Sequence, residues 1–116
     1  MAESDCLFCK IVAGEIPADR VHESATTLAF RDLEPQAPVH VLVIPKQHQP
    51  TVSALLEADP PVLVDVISAC RDVALAQGLA ENGYRLVVNT GADAAQSVFH
   101  VHFHLLGGRK LGWPPG

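Results

Sequence analysis

His100-Val101-His102-Phe103-His104-Leu105-Leu106 decides the reading of this chain, because histidine and apolar side chains alternate from His100 to Leu105 without a break. Alternate residues of a strand point to opposite faces, so the pattern predicts a terminal strand over residues 97–106, closed by Gly107-Gly108. Three imidazoles then share one face, successive ones ~6.6 Å apart at the usual strand rise, while Val101, Phe103 and Leu105 enter the core. An ordinary exposed strand face mixes Thr, Lys and Glu. Repeating the one side chain that titrates near neutrality marks a reactive face rather than a merely solvated one. Just upstream, residues 89–97 form a loop rich in Gly and Ala whose backbone N–H groups can approach phosphate oxygens closely.

Reading backwards, residues 84–89 are β-prone, and residues 60–77 carry the helical period. Val62, Leu63, Val66, Ile67, Cys70, Val73 and Ala74 recur as one helical face requires, leaving Asp65, Ser68, Arg71 and Asp72 toward water. Asp59 is placed to cap this helix, Pro60 and Pro61 fit its first turn, and Gly78 closes it. Further back lie a strand from His40 to Ile44 that ends at Pro45, a proline-punctuated loop over residues 32–38, and two short strands at residues 21–23 and 27–31. A helical turn begun near Phe8 should end at Gly14. Strands on either side of one long helix predict an α+β domain: an antiparallel sheet of about five strands, one long helix and a short N-terminal helix.

With 116 residues, 48% of them hydrophobic and 18% charged, the expectation is a single domain over residues 1–116 that folds unaided. No apolar stretch approaches the ~20 residues that span a bilayer, and the acidic start Glu3-Ser4-Asp5 is unlike a secretory leader, so a cytoplasmic location without membrane association is expected. A net charge of −5 without a long basic run argues against nucleic-acid tracking, while a mononucleotide needs only a local site. Three cysteines cannot all pair. Cys6 and Cys9 have the two-residue spacing of metal or redox chemistry, and Cys70 falls on the apolar helix face as a core residue.

The run from His100 to Leu106 resembles the signature of the histidine-triad (HIT) superfamily, in which three histidines alternate with apolar residues. The likeness extends to its Hint branch through residues 16–18, 29–32, 35–40, 42–46, 88–89, 96–98 and 106–109, and through the ending Trp113-Pro114-Pro115-Gly116. It implies a HIT-like fold and a hydrolase that cleaves the P–N bond of purine nucleoside 5′-phosphoramidates. In that reading His102 attacks the α-phosphorus to give a nucleotidyl-imidazole, which water hydrolyses. His104 hydrogen-bonds the phosphate, and His40 and His100 lie behind the nucleophile, where a hydrogen bond fixes its tautomer. Asn89 and Ser97 surround the phosphate and the leaving amine. Asp32 accepts from the ribose hydroxyls, and Leu7, Phe8, Ile11, Phe30 and Leu33 form the base pocket. No catalytic cofactor is implied, since imidazolium and backbone N–H groups can carry the phosphate charge.

The resemblance also pairs Cys6 and Cys9 with His48 and His100 as a closed Cys₂His₂ structural zinc site, against the alternative of two reduced cysteines in a short helix. It further implies a homodimer built on the long helix and the strand at residues 84–89, with an AMP-like purine nucleotide as ligand. Two alternatives use the same residues: a nucleotide-binding regulatory or scaffold protein, and a dinucleoside polyphosphate hydrolase. The complete triad favours catalysis over binding alone.

Overall fold

The computed structural model describes residues 5–116. In chain order the elements are α1 (Leu7–Val12), β1 (Arg20–Glu23), β2 (Thr27–Arg31), β3 (Val39–Pro45), α2 (Val52–Ala58), α3 (Pro60–Ala76), β4 (Tyr84–Val88) and β5 (Phe103–Gly107). All strand pairs are antiparallel, in the order β1-β2-β3-β5-β4, which makes an α+β fold with a five-stranded sheet and three helices.

The two-residue period of β2, β3 and β5 sorts their side chains between two apolar layers. Ala29, Val41, Val43, Phe103 and Leu105 pack with Leu55 of α2 and with Val62, Val66, Ala69, Cys70 and Val73 of α3. Leu28, Phe30, Leu42 and Ile44 face the other way, against Cys6, Phe8 and Ile11. Because both faces are covered, the middle strands read as nearly continuous apolar runs. Leu28, Ile44, Leu55 and Leu105 are fully buried, each worth about 1.5–3 kcal/mol over leaving it in water.

The ends of α3 follow the sequence. Asp59 accepts from the Val62 N–H, Pro60 and Pro61 occupy the first turn, and Gly78 adopts φ +77° just beyond the end. Its buried stripe is shifted, however. Ala69 is in it, while Ile67, expected inside, is 47% exposed. Helix α2 was not anticipated from the sequence, although Thr51 caps it by accepting from the Ala54 N–H at 3.1 Å and the helix formers Ala54, Leu55, Leu56 and Glu57 follow.

The last strand is shorter than the alternation implied, beginning at Phe103 rather than at residue 97. β4 ends at Val88, opposite Phe103, and although β3 continues past Val43 to Pro45, residues 100–102 do not follow it. Upstream, the Val101 N–H donates to the Gln49 carbonyl at 2.8 Å, and the Pro45 carbonyl is occupied by the His100 ring. Residues 97–102 are thus held by loop contacts. His100 and His102 project from a bend, and His104 alone of the three projects from a strand.

Candidate active site and metal-binding cluster

Strand parity brings His40 and His104 together. His104 lies opposite Leu42 in the β3–β5 register, and His40 opposite Leu106, so the two imidazoles are diagonal neighbours on the face that carries α1. The His102 ring stands 5.0 Å from that of His104 and edge-on to Phe8 at 5.1 Å.

Hydrogen bonds to backbone groups of known polarity assign the protons. His102 Nδ1 lies 2.9 Å from the His100 carbonyl, which only accepts, so Nδ1 carries the proton and Nε2 keeps its lone pair. His40 Nδ1 accepts from the Gln36 N–H at 3.0 Å, so its proton is on Nε2, which donates to His104 Nδ1 at 2.9 Å. His104 in turn carries its proton on Nε2 and is a donor to whatever lies before it. Asp32 Oδ2 lies 3.5 Å from His40 Nε2, and its other oxygen accepts from the Glu34 N–H. Asp32, His40 and His104 are close enough to suggest a metal site. The Gln36 N–H argues against it, because it leaves His40 Nε2 protonated and unable to ligate. His40 therefore stands behind His104, where the resemblance had placed it behind His102, and it is the backbone oxygen of His100 that holds the His102 ring.

Burial keeps these rings neutral. It lowers the pKa of His102 and of His40, in the latter against a partial offset from Asp32. His104 is depressed to about 4, first by burial and then by its two imidazole neighbours. All three folded-state values lie below the unfolded value, so the unfolded chain binds more protons as pH falls below about 6.5. Stability is therefore full above that pH and declines toward pH 4. In urea titrations the midpoint is expected to fall across this window, and to fall less steeply in His104→Gln. Superimposable slopes for the two proteins would contradict the assignment.

Next to the histidines lies an apolar cleft of about 190 Å³ lined by Leu7, Phe8, Ile11, Ile16, Pro17, Ala18, Phe30, Arg31, Asp32, Leu33 and Leu42. It gathers all five apolar residues expected around a base together with Asp32, although Leu33 is 94% exposed at its rim. Leu42 was missed, yet lies two positions from His40 on the same strand face; Ile16, Pro17 and Ala18 carried no chemical signal. Asn89 is half-buried and Ser97 exposed, and neither side chain bonds a histidine of the cluster. Gln96 was also missed. Its buried amide accepts from the Gly91 N–H and donates to the Pro50 and Val98 carbonyls, stitching the small-residue loop to the chain before α2.

A second cluster joins the N-terminal helix to the triad. Cys6 Sγ and Cys9 Sγ each lie 3.5 Å from His100 Nδ1, and Cys9 Sγ lies 3.3 Å from His48 Nδ1. Tetrahedral zinc at ordinary Zn–S and Zn–N lengths requires S···N edges of about 3.5 Å, and all four donor atoms lie within 4.8 Å of one another. His100 Nε2 donates to the Pro45 carbonyl at 2.8 Å, which fixes the ring and leaves the lone pair of Nδ1 facing the thiols, as a ligating histidine requires. The donor set fits zinc with no position left for substrate. Cys70 stays apart in the core, where burial pushes its thiol up to about 12.

Residues 13–111 match the model of the HIT domain. An uncharacterised HIT-like protein of Synechococcus elongatus is 51% identical over 97% of both chains. The crystal structure of a HIT family hydrolase from Legionella pneumophila superposes with a TM-score of 0.93 at 50% identity, covering 97% of this chain and 100% of that one. A HIT family hydrolase from Clostridium thermocellum gives 0.89 at 45% identity, over 93% and 94%. The chain belongs to the HIT family. Its relatives include proteins described as hydrolases, which supports hydrolysis as the class of reaction, and no described helix is long and apolar enough to cross a membrane.

Proposed function

We propose that the protein hydrolyses purine nucleoside 5′-phosphoramidates through a nucleotidyl-histidine intermediate, with no catalytic cofactor. The observation that carries this reading is the His102 tautomer: a neutral imidazole with Nδ1–H tied to the His100 carbonyl and a lone pair on Nε2. The base enters the cleft behind Phe8, the ribose hydroxyls donate to Asp32, and His104 Nε2–H meets a non-bridging phosphate oxygen. Nε2 of His102 forms its bond to phosphorus as the P–N bond breaks. The departing amine takes up a proton drawn from solvent, for which Ser97 is the relay we assign, with Asn89 beside the phosphate. Water then attacks phosphorus, the Nε2–P bond breaks, and the nucleoside monophosphate leaves after the proton of the water has passed to solvent.

Two displacements at one phosphorus restore its configuration. An adenosine 5′-phosphoramidothioate of known configuration, hydrolysed in ¹⁸O-water, should give product with net retention. Inversion would remove the covalent intermediate, and binding of AMP without turnover would leave a nucleotide-binding protein in its place.

The same reading makes the protein a homodimer. β4 is an outer strand with exposed Tyr84 and Leu86, and α3 exposes Val64, Ile67 and Leu75. Pairing β4 with its own copy about a two-fold axis satisfies the open edge without a second kind of surface. Sedimentation is expected to give twice the chain mass for the unmodified protein and a monomer for Leu86→Arg. A monomeric unmodified protein would discard the dimer.

A further inference from the structure

Arg109 donates from both Nε and Nη2 to the carbonyl of Gln36, at 3.3 and 2.9 Å, across 73 positions of sequence. The N–H of Gln36 holds His40 Nδ1, and His40 holds His104. We propose that Arg109 is a positioning residue: by clamping Gln36 it sets the tautomer of His40 and, through it, that of His104, so that His104 offers the phosphate a proton rather than a lone pair. The proposal rests on the phosphoramidase reading for its kinetics and on hydrogen-bond polarity alone for its tautomers.

The His40–His104 hydrogen bond can form in two senses. With the proton on His40 Nε2, His104 keeps its own on Nε2 and faces the phosphate as a donor. With the proton on His40 Nδ1, His104 donates from Nδ1 and turns a lone pair toward the anion. The pair itself does not distinguish these, since either sense makes one bond. The Gln36 N–H does, because it requires an acceptor at His40 Nδ1. That N–H sits in a proline-punctuated loop whose other side-chain hydrogen bonds, from Glu34 N–H to Asp32 and from Gln36 Nε2 to the Glu34 carbonyl, are local to it. Arg109 ties the loop to the end of β5. Gly108 lets it do so: it adopts φ +91°, and a Cβ there would come within 2.9 Å of the Pro38 side chain.

The ring ¹⁵N shifts of His40 and His104 report tautomers directly, and hydrolysis of adenosine 5′-phosphoramidate reports the consequence. In the unmodified protein both rings should carry the proton on Nε2. In R109A the two tautomers should mix, and kcat should fall about tenfold to a hundredfold with KM within about threefold, since a phosphate donor is lost and not the base cleft. R109K keeps one donor and should recover most of the rate and the original tautomers; R109Q replaces R109A if the alanine variant does not fold. Unchanged tautomers and unchanged kcat in R109A would overturn the proposal. If the unmodified protein turns nothing over, the phosphoramidase reading fails, and the ring shifts still decide the role of Arg109.

Discussion

His102→Ala is expected to lower kcat for adenosine 5′-phosphoramidate by about 10⁴-fold or more, the scale seen when a covalent nucleophile is removed from a site that acts as a unit. The base cleft does not include His102, so the Kd for AMP should stay within a few-fold of that of the unmodified protein. The substitution leaves the His100 carbonyl without its ring donor and opens a small cavity beside Phe8, which costs about 1–3 kcal/mol of stability. Loss of rate with retained AMP binding and a modest drop in Tm is therefore the expected set. Quenching at alkaline pH, where a phosphorylated imidazole survives, should give a nucleotidyl mass adduct on the unmodified chain and none on the variant. A variant that keeps more than a tenth of the rate would mean that another group attacks.

Removal of metal is the second large effect. Zinc held by Cys6, Cys9, His48 and His100 would tie α1, which supplies Leu7, Phe8 and Ile11 to the cleft, to the residue whose carbonyl holds the His102 ring. A ligand a thousandfold above its Kd stabilises the folded state by about 4 kcal/mol, which corresponds to a Tm shift of roughly 15 °C or more in a domain of this size. The double variant Cys6→Ser, Cys9→Ser should lose that much stability and bind AMP more weakly, since α1 is then held only by packing and by the Arg20 hydrogen bond to the Ile11 carbonyl. Cobalt(II) added to the metal-free protein should give thiolate-to-metal charge-transfer absorption in the unmodified chain only. Turnover in the loaded protein should be insensitive to a chelator too weak to strip the site. If the double variant melts with the unmodified protein and that protein takes up no metal, the two cysteines are simply reduced thiols in a short helix.

Side-chain pattern was enough for most of the fold. The alternation from His100 to Leu105 carries the triad, the helical period of residues 62–74 with Asp59 and Gly78 at its ends marks α3, and the β-prone runs at residues 27–31 and 40–44 mark β2 and β3. These signals are local, fixed by the geometry of a strand or helix and by capping chemistry near each end. The residues expected around a base and those expected around zinc were legible through resemblance to a family, and the structure gathers both sets, one in an apolar cleft and one in a Cys₂His₂ cluster.

What the pattern left open depended on partners distant in sequence. The pattern predicted a strand from residue 97, but β5 begins at Phe103, because β4 ends at Val88 and the chain before Phe103 leaves β3, with the Val101 N–H on the Gln49 carbonyl and the His100 ring on the Pro45 carbonyl. Ile67 has the right spacing for the core, yet it lies beside the stripe of α3 that packs on the sheet, where Ala69 is buried instead. Helix α2 was passed over beside a longer helix with stronger caps. Five histidines could be named from the sequence, whereas the roles of three required knowing which backbone carbonyl or N–H each ring meets: His100 for His102, Pro45 for His100, Gln36 for His40. A residue type shows that an imidazole can attack, donate or ligate. Only the tertiary fold chooses among these, because the choice rests on which ring nitrogen carries the proton, and that is set by a hydrogen bond to chain far away in sequence or turned by a bend that no periodicity records.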